Sequence, residues 1–157
     1  MNSRFWARVI NILNKGFWEP GRKNVELVER CVTSLGNDYV MFEAAEKAIS
    51  EFGGLKIGFY TIGTDRIVLY FNPIAAIEHT GKNEWAKIVA DYDAPTYPLG
   101  TFDSDEPEDG VFFITEDGKV YAEGICVYFL GNTLDEAIKN TLPWPNWQDI
   151  SEMNPLG

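Results

Sequence analysis

The hydrophobic period of this chain changes at Gly53-Gly54, and that break constrains the fold more than any other feature. Before it, apolar residues recur three and four apart: Phe5, Val9, Ile12 and Leu13; Val25, Val28, Val32 and Leu35; Phe42, Ala45, Ala48, Ile49 and Phe52. Each set makes one stripe along a helix of 3.6 residues per turn. Gly16 is placed to end the first helix, Asn24 to cap the second and Gly36 to stop it. Asp38 is placed to cap the third, whose other side carries Glu43, Glu46, Lys47 and Glu51. A glycine pair is entropically costly in a helix and readily takes positive φ, so Gly53-Gly54 ends it.

After the break the pattern is strand-like. Residues 56–62 and 67–71 flank a turn at Gly63-Thr64-Asp65-Arg66, and Asn72-Pro73 ends the second strand. A short helix over 83–91 presents Trp85, Ile88 and Val89, and residues 97–101 lead into an acidic loop over 101–110. Residues 111–115 and 119–122 surround Glu116-Asp117-Gly118, where a two-residue Asp-Gly turn would set Glu116 opposite Lys119. Residues 125–130 continue the sheet, and Thr133-Leu134-Asp135-Glu136 reads as a capping box for a last helix closed by Pro143. The order predicts a single α+β domain, with N-terminal helices packed on an antiparallel-rich mixed sheet and a C-terminal helix. Its expected extent is 1–142, with 143–157 a Pro/Trp-containing tail packed on or beside it. A chain of 157 residues that is 45% hydrophobic can bury a core of its own.

Chemistry-bearing constellations are few. His79 is the only histidine, expected in a loop, so no multi-histidine metal site exists. Cys31 and Cys126 show neither metal nor redox spacing, and Cys126 lies in an apolar strand pattern that predicts an inert thiol. The run 103–110 begins like a calcium loop but has Glu108 at the turn glycine and Ile114 at the closing glutamate. Residues 16–21 lack the lysine of a phosphate loop. No cofactor and no metal are expected. Trp6, Trp18 and Trp85 read as core, while the tail tryptophans Trp144 and Trp147 either fold back over the core or offer an anchor to a partner.

Charge is distributed unevenly. The net charge is −11, yet residues 88–157 carry 14 acidic and 2 basic side chains while the first 87 nearly balance. Like charges gathered in one half of a small domain repel one another, a cost that a cationic partner offsets. The same surface repels nucleic-acid backbones and anionic lipid, and no run of about 20 apolar residues suits a membrane span. The N-terminal residues do not read as a secretory signal, so a cytoplasmic location is expected.

Five short segments, in order, carry a resemblance. Gly16-Phe17-Trp18-Glu19-Pro20-Gly21-Arg22 resembles the "GW-x-P-G-R" element of SUKH superfamily immunity proteins, third subfamily. Glu51-Phe52-Gly53-Gly54-Leu55, Tyr97-Pro98-Leu99-Gly100, the hairpin Asp117-Gly118-Lys119-Val120-Tyr121 and Leu130-Gly131-Asn132-Thr133-Leu134-Asp135-Glu136-Ala137-Ile138 are similar to its later elements. Phe17 is an insertion relative to that pattern. The resemblance implies a bacterial antidote that binds and neutralises a cognate toxin, often a nuclease or deaminase, without catalysis. The matching segments are turn glycines, a hairpin and a helix cap, so they identify a scaffold and no contact residue. Charge supplies those: Asp103, Asp105, Glu106, Glu108 and Asp109, then Asp91, Asp93 and Trp147, are the expected partner-binding residues, fitting a basic cleft on the toxin. Two other readings are a regulatory protein-interaction module on the same fold and a small acidic hydrolase using a carboxylate pair.

Overall fold

Helix formation follows the apolar stripes, with one rotated. The computed structural model describes residues 4–61, 65–105, 108–142 and 147–150. Helix α1 (Ala7–Lys15) buries Val9 and Leu13, and α3 (Glu43–Phe52) buries Ala45, Ala48, Ile49 and Phe52. Helix α2 (Val25–Leu35) buries Leu27, Cys31 and Leu35, leaving Val25 and Val32 exposed. Two overlapping stripes compete there, and the one containing Leu27 wins because its side chain packs against Gly53 at the end of α3. Asn24 caps α2 by accepting the Leu27 N–H at 3.0 Å, and left-handed Gly36 stops it. Asp38 caps nothing: it ends a 3-10 turn over Gly36–Asp38, and α3 starts at Glu43 without a side-chain cap. The intervening stretch brings the Tyr39 ring to Trp85 and the Phe42 ring edge-on to Tyr97.

The sheet has seven strands in chain order, each antiparallel to its neighbour. These are β1 (Lys56–Tyr60), β2 (Arg66–Tyr70), β3 (Thr96–Ser104), β4 (Glu108–Thr115), β5 (Val120–Glu123), β6 (Val127–Gly131) and β7 (Gln148–Asp149). Between β2 and β3 lie α4 (Pro73–Thr80) and α5 (Lys82–Ala90); between β6 and β7 lies α6 (Leu134–Thr141). The fold is a single α+β domain.

Strand β3 tolerates an internal proline because the register shifts between Pro98 and Gly100, a bulge that leaves Leu99 as the extra, buried residue. The Glu116–Lys119 pair does not form. Thr115 faces Lys119 instead, across a three-residue loop in which Gly118 takes the left-handed conformation after a turn from Thr115. Thr133 caps α6 by accepting the Glu136 N–H at 3.1 Å.

Pleating sorts the core. Phe112, Val120 and Leu130 share one face with Leu134, Ala137 and Ile138 of α6, and Phe112 meets Phe71, which stacks on Phe52 of α3. Phe113 and Tyr121 point the other way, where Trp85 and Tyr92 close on them at 4.8–5.5 Å. Helices therefore cover both faces, α3 and α6 on one and α5 on the other.

Three sequence expectations are corrected here, and a helix that no expectation covered comes first. Residues 73–80 form a helix, α4: Asn72 accepts the N–H groups of Ile74 and Ala75, and Pro73 occupies the first turn. His79 therefore sits in a helical last turn and not in a loop. Trp6 is 66% exposed, because it precedes the first turn of α1 and lies off its buried stripe. Cys126 falls in the turn joining β5 to β6, half-buried, beside Ile125 at 77% exposure.

The N-terminal motifs meet in one polar clamp. Arg4 holds Glu51 with two hydrogen bonds of 2.8 and 2.9 Å and Asp135 with two of 2.7 Å, joining the segment before α1 to α3 and α6. Trp18 donates to the same Glu51 at 3.0 Å. Arg22 donates to the carbonyls of Glu51 and Gly53, satisfying the orphan acceptors at the end of α3. The inserted Phe17 is 85% exposed with φ 72°, and its left-handed turn lets Trp18 N–H reach Leu13 O at 3.0 Å.

Candidate partner-binding face

The expected acidic loop is a hairpin, and that decides where its carboxylates go. Asp103 of β3 lies directly opposite Asp109 of β4, both exposed, so the two side chains share a face. Successive strand residues point to opposite faces, so Glu108 belongs to the other one. There its carboxylate accepts the Tyr128 hydroxyl at 2.8 Å and the Ile125 N–H at 2.9 Å, tying two hairpin ends together. Burial first, and the facing carboxylate second, push the Tyr128 phenol above its ordinary range. Asp105 extends the β2–β3 ladder: it exchanges two 3.0 Å hydrogen bonds with the Arg66 backbone. Glu106 lies outside the described residues. Asp103, Asp105 and Asp109 have no Lys or Arg side-chain partner among the described residues.

The face of Asp109 continues into a cleft. Glu123 of β5 stands opposite Val111, two residues along from Asp109. Asp109, Glu123, Glu84, His79 and Ile88 surround a cavity of about 220 Å³ between the sheet and helices α4 and α5. His79 Nε2 is 3.9 Å from Asp109 Oδ2. Glu84 is paired with Lys87 at 3.1 Å. Burial, then Asp91, then Glu84 raise the Glu123 carboxyl above its usual value. A carboxyl raised on folding binds its proton more tightly in the folded state, so ionised Glu123 lowers stability at pH values above the ordinary glutamate range. Glu123→Gln is therefore expected to raise the melting temperature at pH 7 by an amount worth up to about 1 kcal/mol. The gain should vanish as the pH falls below that range; an equal gain at pH 3.5 and pH 7 would contradict it.

The weaker candidates divide. Asp91 closes α5, and exposed Asp93 follows two residues later. Trp147 lies on the Glu108 face, its ring edge-on to Phe102 at 5.3 Å and its indole N–H donating to Thr141 at 2.7 Å. Trp144 is outside the described residues. No signal in the sequence marks Glu84 or Glu123, since only tertiary packing brings them beside Asp109. Among the described residues, no group of three His, Cys, Asp or Glu is placed to hold a metal ion, and no helix is long and apolar enough to cross a membrane.

The fold thus defines an α+β domain with a seven-stranded antiparallel sheet between helices, and with carboxylates on one sheet face that have no Lys or Arg partner among the described residues. The family model of the SUKH-3 immunity protein matches residues 5–143. The chain belongs to the SUKH-3 immunity protein family. No curated protein and no solved structure matches it.

Proposed function

We propose that this protein is a non-catalytic immunity protein that binds a cognate bacterial toxin directed at nucleic acid, and that the face bearing Asp103 and Asp109 enters the toxin's basic cleft. The family supports toxin neutralisation. The observation that carries the docking face is the direct opposition of Asp103 and Asp109, with no Lys or Arg partner among the described residues. Like charges set opposite each other in a ladder destabilise the free protein, and a cationic partner relieves that repulsion. Asp105, Asp91 and Asp93 extend the contact zone. Glu108 serves the scaffold, and Trp147 holds the segment after residue 142 against the 1–142 domain.

The product of any toxin gene found adjacent to this protein's gene is the partner to test. Replacing Asp103 and Asp109 by Asn is expected to slow association about tenfold and flatten its salt dependence, with the melting temperature unchanged or raised. Association kinetics identical to wild type would sink the docking face. Failure of the wild-type protein to bind that toxin would favour the regulatory-module reading. The hydrolase reading keeps one supporting observation, the cleft lined by Glu84, Asp109 and Glu123; hydrolytic activity lost in Glu123→Gln would establish it.

A further inference from the structure

Strand β1 is an edge of the sheet, and its ladder shows which backbone groups it leaves on offer. The Phe71 N–H donates to Leu55 O and the Thr61 N–H to Asp65 O, both at 2.9 Å, at the two ends of the β1–β2 pairing. Hydrogen-bonded pairs alternate along an antiparallel ladder, so Ile57 and Phe59 bond inward to β2. The N–H and C=O groups of Lys56, Gly58 and Tyr60 therefore point away from the sheet. Among the described residues none of these groups has a backbone partner. Gly16, at the end of α1, lies against one of them: a Cβ there would stand 3.0 Å from Lys56 O. Gly58 and Tyr60 stay open, and Tyr60 is 67% exposed.

An open edge recruits another strand, and proteins blunt the edges that must stay single. The opposite edge is blunted: β7 is two residues long and carries Asp149. By contrast β1 runs five residues in unbroken register with β2, without proline or bulge. Its one charge, Lys56, sits at the covered end, with Nζ 5.0 Å from the centroid of the Tyr70 ring.

The strand is complementary to itself. Set antiparallel to a second copy and centred on Phe59, it places Gly58 opposite the other copy's Tyr60, and Tyr60 opposite the other Gly58. Each such pair exchanges two N–H···O bonds, and neither uses the covered Lys56 carbonyl. The side chains fit as well, because an aromatic ring across from an edge glycine fills the gap that glycine leaves. A side chain at Gly58 would meet only Val68 Cγ2 at 3.8 Å and Ile67 O at 3.9 Å, so the ring has room. Charge does not oppose the pairing. The first 87 residues nearly balance, and the two copies of Asp103 would stand five strand spacings apart. That is about 24 Å, against a screening length of about 8 Å at physiological salt. We infer that two copies of this chain associate through β1 in the Gly58–Tyr60 register, joining their sheets into one. The contact is small, so the dimer belongs to the weak class with micromolar dissociation. This association is independent of the toxin-binding reading.

Sedimentation velocity from about 10 μM to about 1 mM is expected to show a reversible monomer–dimer equilibrium. Amide hydrogen exchange over that range should slow at Gly58 and Tyr60 as dimer forms, while Ile57 and Phe59 are protected throughout. Gly58→Pro removes an outward donor and no bond to β2, so it should abolish the dimer and leave a folded monomer. Gly58→Cys with Tyr60→Cys, in a Cys126→Ser background, sets thiols on facing residues about 5.5 Å apart between Cα atoms, within disulfide range. Oxidation should give a covalent dimer. Lys56→Cys with Tyr60→Cys, which matches a register centred on Gly58, should not. A monomer at every concentration overturns the inference, and so does a dimer that persists in folded Gly58→Pro. If Gly58→Pro does not fold, the wild-type exchange and the cross-link decide. Protection of the two amides only when toxin is added to a monomeric protein would give the edge to a toxin strand and overturn the second copy.

Discussion

Gly100→Ala is expected to lower stability by about 3 kcal/mol or more, the upper end of what overpacking costs. A Cβ at Gly100 would stand 1.9 Å from Tyr70 O and 2.9 Å from Phe112 Cζ. The first of these is a backbone atom of the neighbouring strand, so no rotamer change removes the clash. Relief requires prying β2 from β3 next to the Pro98–Gly100 bulge, in the middle of the sheet. For a domain of this size the loss corresponds to a fall of roughly 6–12 °C in melting temperature. Gly21→Ala provides the contrast. No atom lies within 4 Å of its Cβ position, and only a φ of 80° opposes the change, a cost of about 1 kcal/mol. Equal melting temperatures for the two variants would show that close approach is not why Gly100 is glycine.

Trp18→Ala should cost about 3–5 kcal/mol by chemical denaturation. Trp18 is 5% exposed, stacks on Phe52 at 6.2 Å and meets Phe5 edge-on at 5.8 Å. It also donates to Glu51, the carboxylate that Arg4 holds from the other side. Removing it opens a cavity among α1, α3 and the sheet and leaves the clamp one donor short. Trp18→Phe retains most of the packing and loses the hydrogen bond to a charged acceptor, about 1.5–3 kcal/mol. The difference between the two variants separates packing from clamp. A loss below about 1 kcal/mol in Trp18→Ala would mean that the N-terminal motif is not structural.

Trp18 and Gly100 both lie in segments that carry the family resemblance, and both act through long-range contacts. Trp18 and Arg22 from the first element close on Glu51 and Gly53 from the second, and Gly100 from the third fits under the Tyr70 carbonyl. Each element is one half of a contact whose other half lies far along the chain. None of these contacts involves Asp103 or Asp109.

Where a signal was local, it was legible. Asn24 and Thr133 cap helices through their own hydroxyl or amide oxygen, three residues from the N–H they satisfy. The shift from helical to strand period at Gly53-Gly54 places five of the seven strands in outline, all but β3 and β7. The helix at 73–80 is equally local, with Asn72 and Pro73 at its start; the same pair marks the end of β2, and in the fold it does both. The acidic segment, by contrast, misled. A run of carboxylates has loop composition, yet Phe102 and Val111 hold its flanks in the ladder as far as Ser104 and Glu108.

Sequence alone settled the family, the α+β class and the excess of negative charge, because each follows from residue type and spacing within a few turns or strands. Which carboxylates face the same way was settled only by the folded sheet. Its pleat sends Glu108 to Tyr128 and leaves Asp103 beside Asp109, and its packing brings Glu84 and Glu123 next to them. Side-chain direction in a strand alternates with every residue, so a slip of one position would exchange the two faces, and register is fixed by partners on other strands.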